Sequence, residues 1–261
     1  MKRISLPALS CALALHASAR ADLPAIVEAV KPAVVVVGYF KATSSPRFAM
    51  AGTGFAVGDG SLLITNAHVL ADGATVDPDA QLQVLVRNPG GSGGAAGLEP
   101  RSASVVEVDR VHDLALLRVA GKPLPALKLR ESGTVREGQS VALMGFPVGG
   151  ALGFSPVTHR GIVSSITTAA LPSPTSRQLN EKSIRSLREG PFEILQLDAT
   201  AYPGNSGGPL FDADTGEVVG VVNMVFVKGT RESALSNPTG ITYAIPAGFV
   251  LQLLQRAAAP K

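Results

Sequence analysis

Between Val34 and Ile245 the chain is a succession of short apolar runs separated by turn-forming residues. The runs are Val34–Phe40, Thr53–Val57, Leu62–Thr65, Gln81–Arg87, Ala103–Val108 and Leu114–Val119, then Ser140–Met144, Gly161–Thr167, Ile194–Leu197, Val218–Phe226 and Ile241–Ile245. They are too short for stable helices, rich in β-branched residues and bounded by Gly, Pro, Asn and Asp, which is the pattern of strands. Asp59-Gly60 between two of them predicts a hairpin. Only the ends read as helices. Residues 22–31 carry Pro24 at an early position and Asp22 as a candidate cap, with Pro32 ending the helix; the second helix is Ala247–Ala257. Short strands without alternating helices predict an all-β fold of sandwich or barrel type rather than a β/α one. Their grouping predicts two lobes, residues 22–130 and 131–261, joined near Lys122–Gly138. Asn88–Pro100 is Gly-rich and Ala169–Pro191 is long and polar, with Asn180–Arg188 as one or two helical turns; both read as loops.

The charge balance constrains the partners once the charges are located. The chain has 261 residues, with 23 Lys+Arg against 20 Asp+Glu. Residues 1–21 begin Met1-Lys2-Arg3, continue through a short apolar stretch to Ala14 and end in Ala17-Ser18-Ala19-Arg20-Ala21, the layout of a secretory signal peptide. The small residues allow cleavage after Ala19 or Ala21; cleavage after Ala21 is favoured, and is expected to yield an exported, periplasmic or secreted chain. It removes three basic residues and no acid, leaving 20 of each sign. Cys11, the one cysteine, leaves with it, so neither a disulfide framework nor a thiolate metal site is expected. A neutral mature chain without a basic, aromatic-interleaved patch argues against nucleic acid. No apolar run approaches the ~18 residues of a spanning helix, so no integral membrane segment is expected.

The stretch richest in chemistry is Tyr202-Pro-Gly-Asn-Ser-Gly-Gly-Pro-Leu210. A serine flanked by glycine and proline suits an exposed hydroxyl on a tight turn. Gly204-Asn-Ser-Gly-Gly208 also fits the G-x-S-x-G nucleophile elbow, which requires a histidine downstream of the serine. The last histidine is His159, so that reading lacks its base. The order His, Asp, Ser is available instead. His68 follows an apolar strand in Leu63-Ile-Thr-Asn-Ala-His-Val-Leu70, and Asp113 precedes one in His112-Asp-Leu-Ala-Leu-Leu117. A serine hydroxyl needs a base within reach to become nucleophilic, imidazole suits that task near neutral pH, and a carboxylate fixes its tautomer.

Gly52-Thr-Gly-Phe-Ala-Val57, Ile64-Thr-Asn-Ala-His-Val-Leu70, His112-Asp-Leu-Ala-Leu-Leu117, Gly161-Ile-Val-Ser164 and Gly204-Asn-Ser-Gly-Gly-Pro209 resemble the chymotrypsin-like serine proteases, and more narrowly the protease domain of the HtrA (Deg) type. The resemblance runs over residues 23–250. It implies two six-stranded antiparallel β-barrels with the active site between them and a serine endopeptidase working through an acyl-enzyme. Ser206 is then the nucleophile, His68 the general base and acid, and Asp113 its buried carboxylate. The stretch Gly204, Asn205, Ser206 supplies the oxyanion hole through the N–H groups of Gly204 and Ser206. His112 and His159 take supporting positions. Asn205 carries no charge to pair with a newly cut N-terminus, so activation by N-terminal insertion is not expected.

The same resemblance puts Thr200 at the base of the specificity pocket and Ala201, Met224 and Ile241 near its wall. Small or medium aliphatic residues before the scissile bond are therefore expected, although these three side chains would equally serve the barrel core. Asn223, Met224 and Val225 would offer an edge strand to an extended protein or peptide substrate. No metal or organic cofactor is expected. HtrA-type proteins usually continue into one or two PDZ domains; this chain stops at Lys261, so it is expected to lack one, and the family's trimer is not assumed. Two alternatives stay open: a catalytically silent binding or scaffold protein of the same fold, and an esterase using the same triad.

Overall fold

The computed structural model describes residues 22–70, 77, 79–87, 97–131, 133–147, 153–168, 192–223 and 241–259. Among these residues the chain forms twelve strands closed into two six-stranded antiparallel barrels. The first contains β1 (Val34–Phe40), β2 (Phe48–Val57), β3 (Leu62–Asn66), β4 (Gln81–Arg87), β5 (Leu98–Asp109) and β6 (Leu114–Val119). The second contains β7 (Ser140–Gly145), β8 (Val157–Thr168), β9 (Glu193–Asp198), β10 (Pro209–Asp212), β11 (Val218–Asn223) and β12 (Ile241–Pro246). The rings run β1-β2-β3-β6-β5-β4 and β7-β8-β9-β12-β11-β10, so both barrels have one topology and neither leaves a sheet edge unpaired.

Four consecutive valines explain how the barrels meet. Val34, Val35, Val36 and Val37 of β1 are all buried, although successive strand residues point to opposite faces. Val35 and Val37 fill the first barrel with Ala56, Leu63 and Leu117. Val34 and Val36 face the other way and pack with Phe55, Ile64 and Leu116 against Met144, Phe211 and Val221 of the second barrel. A strand buried on both faces reads as a continuous apolar run. Each such valine contributes roughly 1.5–3 kcal/mol relative to an exposed one, so the seam is a core in its own right. Leu143, Val163, Leu195, Leu197 and Leu210 fill the second barrel.

The twelfth strand is one the sequence pattern did not reveal. β10 follows directly on the Gly- and Pro-rich serine turn, whose composition masks it. β2, β5 and β8 also begin earlier than the runs that marked them: β2 through Phe48–Gly52, rich in Ala and Gly, and β5 and β8 through mixed or charged residues that barrel pairing recruits, as where Leu98–Ser102, including Pro100, pairs with Gln83–Arg87. The predicted loop at 88–100 therefore ends before Leu98. Residues 88–96, the 169–191 segment with its suggested helical turns, and the end of the run at 224–226 lie outside the described residues. The Asp59-Gly60 hairpin forms, with Asp59 Oδ1 accepting from Ser61 N at 2.9 Å.

The two α-helices among the described residues brace the seam. α1 (Leu23–Val30) buries Ile26 and Val30 in the inter-barrel core. Asp22 occupies its N-cap position without a side-chain capping bond; its carbonyl accepts from Ile26 N at 3.1 Å instead. α2 (Ala247–Ala258) buries Val250 and Leu253 in the same core. The connection from β6 to β7 is tied to the β10–β11 hairpin: Arg130 donates to Asp212 Oδ2 and Glu217 Oε2, both at 3.1 Å, and to Thr215 Oγ1 at 2.9 Å.

A polar cluster fixes α2 to the end of β5. Asp109 Oδ1 accepts from His112 N at 3.1 Å, while Oδ2 pairs with His112 Nδ1 at 2.9 Å and Arg256 Nη2 at 2.5 Å. The His112 ring stacks on Phe249 with centroids 3.9 Å apart and meets the edge of Phe192 at 4.9 Å. Burial alone would raise the Asp109 carboxyl, but the bonds and charge from His112 and the Arg256 guanidinium outweigh it and hold the group well below the usual carboxylate range. A carboxylate depressed on folding adds stability that is complete above its unfolded value, about pH 4, and is lost as pH falls through the lower folded value. We expect Asp109→Asn to lose ~1–3 kcal/mol at pH 7 and to show a shallower stability decline below pH 4 than the parent. Urea titrations between pH 2 and 7 check this; parallel curves would contradict it.

Candidate active site

Strand register brings His68 and Asp113 together. β3 and β6 pair with Asn66 opposite Leu114, so the residues just beyond them leave the first barrel side by side. His68 sits in the 3-10 turn Ala67–Val69 that follows β3. Asp113 immediately precedes β6 in the left-handed region, at φ 52°, a conformation to which Asp is better suited than most residues. Its carbonyl accepts from Ala67 N and Asn66 Nδ2, each at 3.0 Å.

The Asp113 carboxylate accepts three hydrogen bonds. Oδ1 takes His68 N at 2.8 Å, and Oδ2 takes His68 Nδ1 at 2.5 Å and Asn223 Nδ2 at 2.7 Å. Since an ionised carboxylate only accepts, the proton of the pair lies on Nδ1 and the lone pair on Nε2. The imidazole is thereby arranged to take a proton at Nε2. The side chains are 33% and 20% exposed, so the carboxylate is half-buried. Asn223 was expected to offer main chain to a substrate. Its side chain reaches across from β11 to the carboxylate and so links the second barrel to the pair.

Ser206 lies on the turn between β9 and β10. The turn is held internally by Asn205 N donating to Tyr202 O at 2.9 Å and Gly208 N donating to Asn205 O at 3.0 Å. It is held to β11 by Gly207 N donating to Val222 O, and to β2 by Thr53 N donating to Ser206 O, both at 2.9 Å. Two glycines are obligatory for packing as well as for backbone angle. A Cβ on Gly204, at φ 105°, would lie 2.3 Å from Phe146 O, and one on Gly207, at φ 85°, would lie 2.2 Å from Thr53 O and 3.0 Å from Asn66 N. The serine turn is thus pressed against the strand that ends in the His68 turn. Ser206 is 6% exposed. Among the described residues its hydroxyl is not hydrogen-bonded to His68; such contacts are often long until substrate binds.

The N–H groups of Gly204 and Ser206 have no acceptor among the described residues. That of Asn205 is committed to Tyr202, so within the predicted oxyanion stretch this residue is a spacer. Its side chain is fully buried with neither amide atom partnered among the described residues.

The remaining predicted positions divide. Thr200 is half-buried. Ala201 packs with Leu197 and Ala199 in the second barrel's interior. The backbone of Ile241 opens β12 opposite Asp198; its side chain, Met224 and Val225 lie outside the described residues. His159 stands on β8 opposite Leu143, its titration lowered by burial. Sequence reasoning assigned no role to Thr53 and Asn66. Both are buried polar residues within apolar strands, and that anomaly was their available signal.

Comparison with known proteins agrees with this geometry. The sequence pattern of the trypsin-like peptidase domain matches residues 52–221. "Serine protease HTRA2, mitochondrial" from Drosophila pseudoobscura pseudoobscura is 33% identical over 216 residues, 83% of this chain and 41% of that protein. The protein of the same name from Bos taurus is 34% identical over 235 residues, 88% of this chain and 42% of that protein. The chain therefore spans about two fifths of the length of these curated relatives. A solved structure of the HtrA-type protease AlgW with a tripeptide superposes with a TM-score of 0.62 at 26% identity, over 90% of this chain and 63% of that one. With the pattern spanning parts of both barrels and the positions of His68, Asp113 and Ser206, the chain belongs to the trypsin-like peptidase family and is similar to its HtrA-type members.

Proposed function

We propose that the chain is a serine endopeptidase in which Ser206 is the nucleophile, His68 the general base and acid, and Asp113 the orienting carboxylate. The observation that carries this reading is the His68–Asp113 pair, bonded at 2.5 Å beside the serine turn of the opposite barrel. Ser206 Oγ attacks the scissile carbonyl carbon while its proton passes to His68 Nε2. Asp113, stabilised by Asn223, offsets the charge of the imidazolium. The carbonyl oxygen becomes an oxyanion facing the N–H groups of Gly204 and Ser206. His68 returns the proton to the leaving amine, and water, deprotonated by the same ring, releases the acyl group.

Ser206→Ala is expected to abolish casein hydrolysis and fluorophosphonate labelling while leaving the circular dichroism spectrum unchanged. Asp113→Asn should lower kcat by ~10⁴-fold, the loss measured for the equivalent change in a related triad. A folded parent that resists the probe would favour a binding or scaffold role, and turnover of esters without protein substrates would favour an esterase.

The substrates are extended or unfolded protein segments that add a strand beside Asn223–Val225, with small or medium aliphatic residues before the cleaved bond. Thr200 supports this, since it offers no carboxylate to a basic side chain. A peptide library should show preference for Ala, Val or Leu at that position; a dominant preference for Arg or Glu would overturn the assignment.

Export rests on the signal-like residues 1–21; no helix among the described residues is long and apolar enough to cross a membrane. Mass spectrometry of chain recovered from an exporting bacterial host should find an N-terminus at Asp22, and recovery of only the uncleaved chain would refute export by this signal.

A further inference from the structure

Thr53 lies within β2 of the first barrel and is fully buried, yet most of its polar contacts reach into the second barrel. Its Oγ1 contacts Gly204 O at 2.6 Å and Phe146 N at 3.1 Å. The amide of Phe146 can only donate and the carbonyl of Gly204 can only accept, so the one hydroxyl proton goes to Gly204 O. Its main-chain N–H donates to Ser206 O at 2.9 Å. Its carbonyl, in turn, accepts from Thr65 Oγ1 at 2.7 Å.

These bonds sort the peptide planes of the serine turn. The plane between Gly204 and Asn205 is held at both ends: its carbonyl by the Thr53 hydroxyl, its N–H by Tyr202 O at 2.9 Å. The plane between Ser206 and Gly207 is likewise held, its carbonyl by Thr53 N and its N–H by Val222 O. The two planes that carry the N–H groups of Gly204 and Ser206 alternate with these held planes. Thr53 therefore grips both fixed planes, one through its side chain and one through its backbone. The joint leaves little space to relax: a Cβ on Gly145 would come within 3.1 Å of Thr53 Oγ1 and 2.7 Å of Asn205 Oδ1.

We propose that the Thr53 hydroxyl is a positioning group for catalysis, supplied by one barrel to aim the oxyanion-binding amides of the other. The inference rests on the protease reading above. It acts through Gly204 and touches no substrate, so its effect falls on the transition state. The oxyanion forms only after attack, whereas substrate binding uses other surfaces.

The test compares Thr53→Val, which keeps the shape and removes the hydroxyl, with Thr53→Ser, which keeps the hydroxyl. Peptide hydrolysis and fluorophosphonate labelling rates are measured alongside thermal melting. Thr53→Val should lower kcat and the labelling rate by ~10–100-fold with KM nearly unchanged, short of the ~10²–10³ seen when an oxyanion donor is itself removed. Thr53→Ser should retain kcat within about threefold, as expected if the hydroxyl bond rather than the methyl carries the effect. Should the valine variant not fold, serine decides alone: a folded serine variant with full kcat supports the proposal, and one slowed tenfold or more overturns it. A folded valine variant with parental kcat, or a loss confined to KM, also overturns it. A parent chain that neither hydrolyses peptides nor takes the probe overturns the protease reading, and this inference with it.

Discussion

The seam between the barrels is the constraint from which the rest of the molecule follows. His68 and Asp113 belong to the first barrel and Ser206 to the second, so their spacing depends on how rigidly two closed sheets are joined. An apolar interface alone would be non-directional and would tolerate sliding. Directional bonds cross the seam instead: Thr53 to Gly204, Ser206 and Phe146, and Asn223 to Asp113. Apolar burial of Val34, Val36, Phe55 and Ile64 supplies the bulk of the attraction, and the hydrogen bonds select one register within it.

Periodicity and composition made much of this legible, and the exceptions have physical causes. Val34–Val37 read as a strand because a residue buried on either face must be apolar. The His68 and Asp113 turns stood out because each adjoins such a strand. β10 was obscured because the residues before it are chosen for close backbone approach at Gly204 and Gly207, which erases strand propensity locally. The early segments of β5 and β8 are strands through pairing alone, with faces too mixed to show alternation, and that of β2 is dominated by Ala and Gly, which carry little strand propensity. Asn223 lies inside the apolar run Val218–Phe226, where its partner, 110 residues away in sequence, leaves no local trace. Thr53 and Asn66 are visible only as polar residues in the wrong place, and a single chain does not say which of its buried hydroxyls and amides matter.

The polar cluster around Asp109 extends the same logic to the C-terminal helix. His112 is the residue directly before Asp113 in sequence, and it is held by Asp109, Phe192 and Phe249. The left-handed backbone of Asp113 therefore has a fixed turn on one side and strand β6 on the other. Arg256, nearly at the end of α2, completes the cluster through Asp109. Packing from a distant part of the chain thus reaches the residue next to the carboxylate without any long-range electrostatics.

Shared barrel topology has a consequence for the order of events during synthesis. The first barrel closes through β1 and β4 and needs nothing from later sequence to complete its ring. A nascent chain that has reached Val119 contains all six strands of that ring and both His68 and Asp113, with no serine turn to serve. The turn is emitted almost ninety residues later and acquires its bonds to Val222 and Thr53 only when β11 has formed and docked. The complete constellation therefore requires chain through Asn223, and a fragment ending between Ser206 and Asn223 contains the histidine, aspartate and serine without the bonds that Val222 and Asn223 supply.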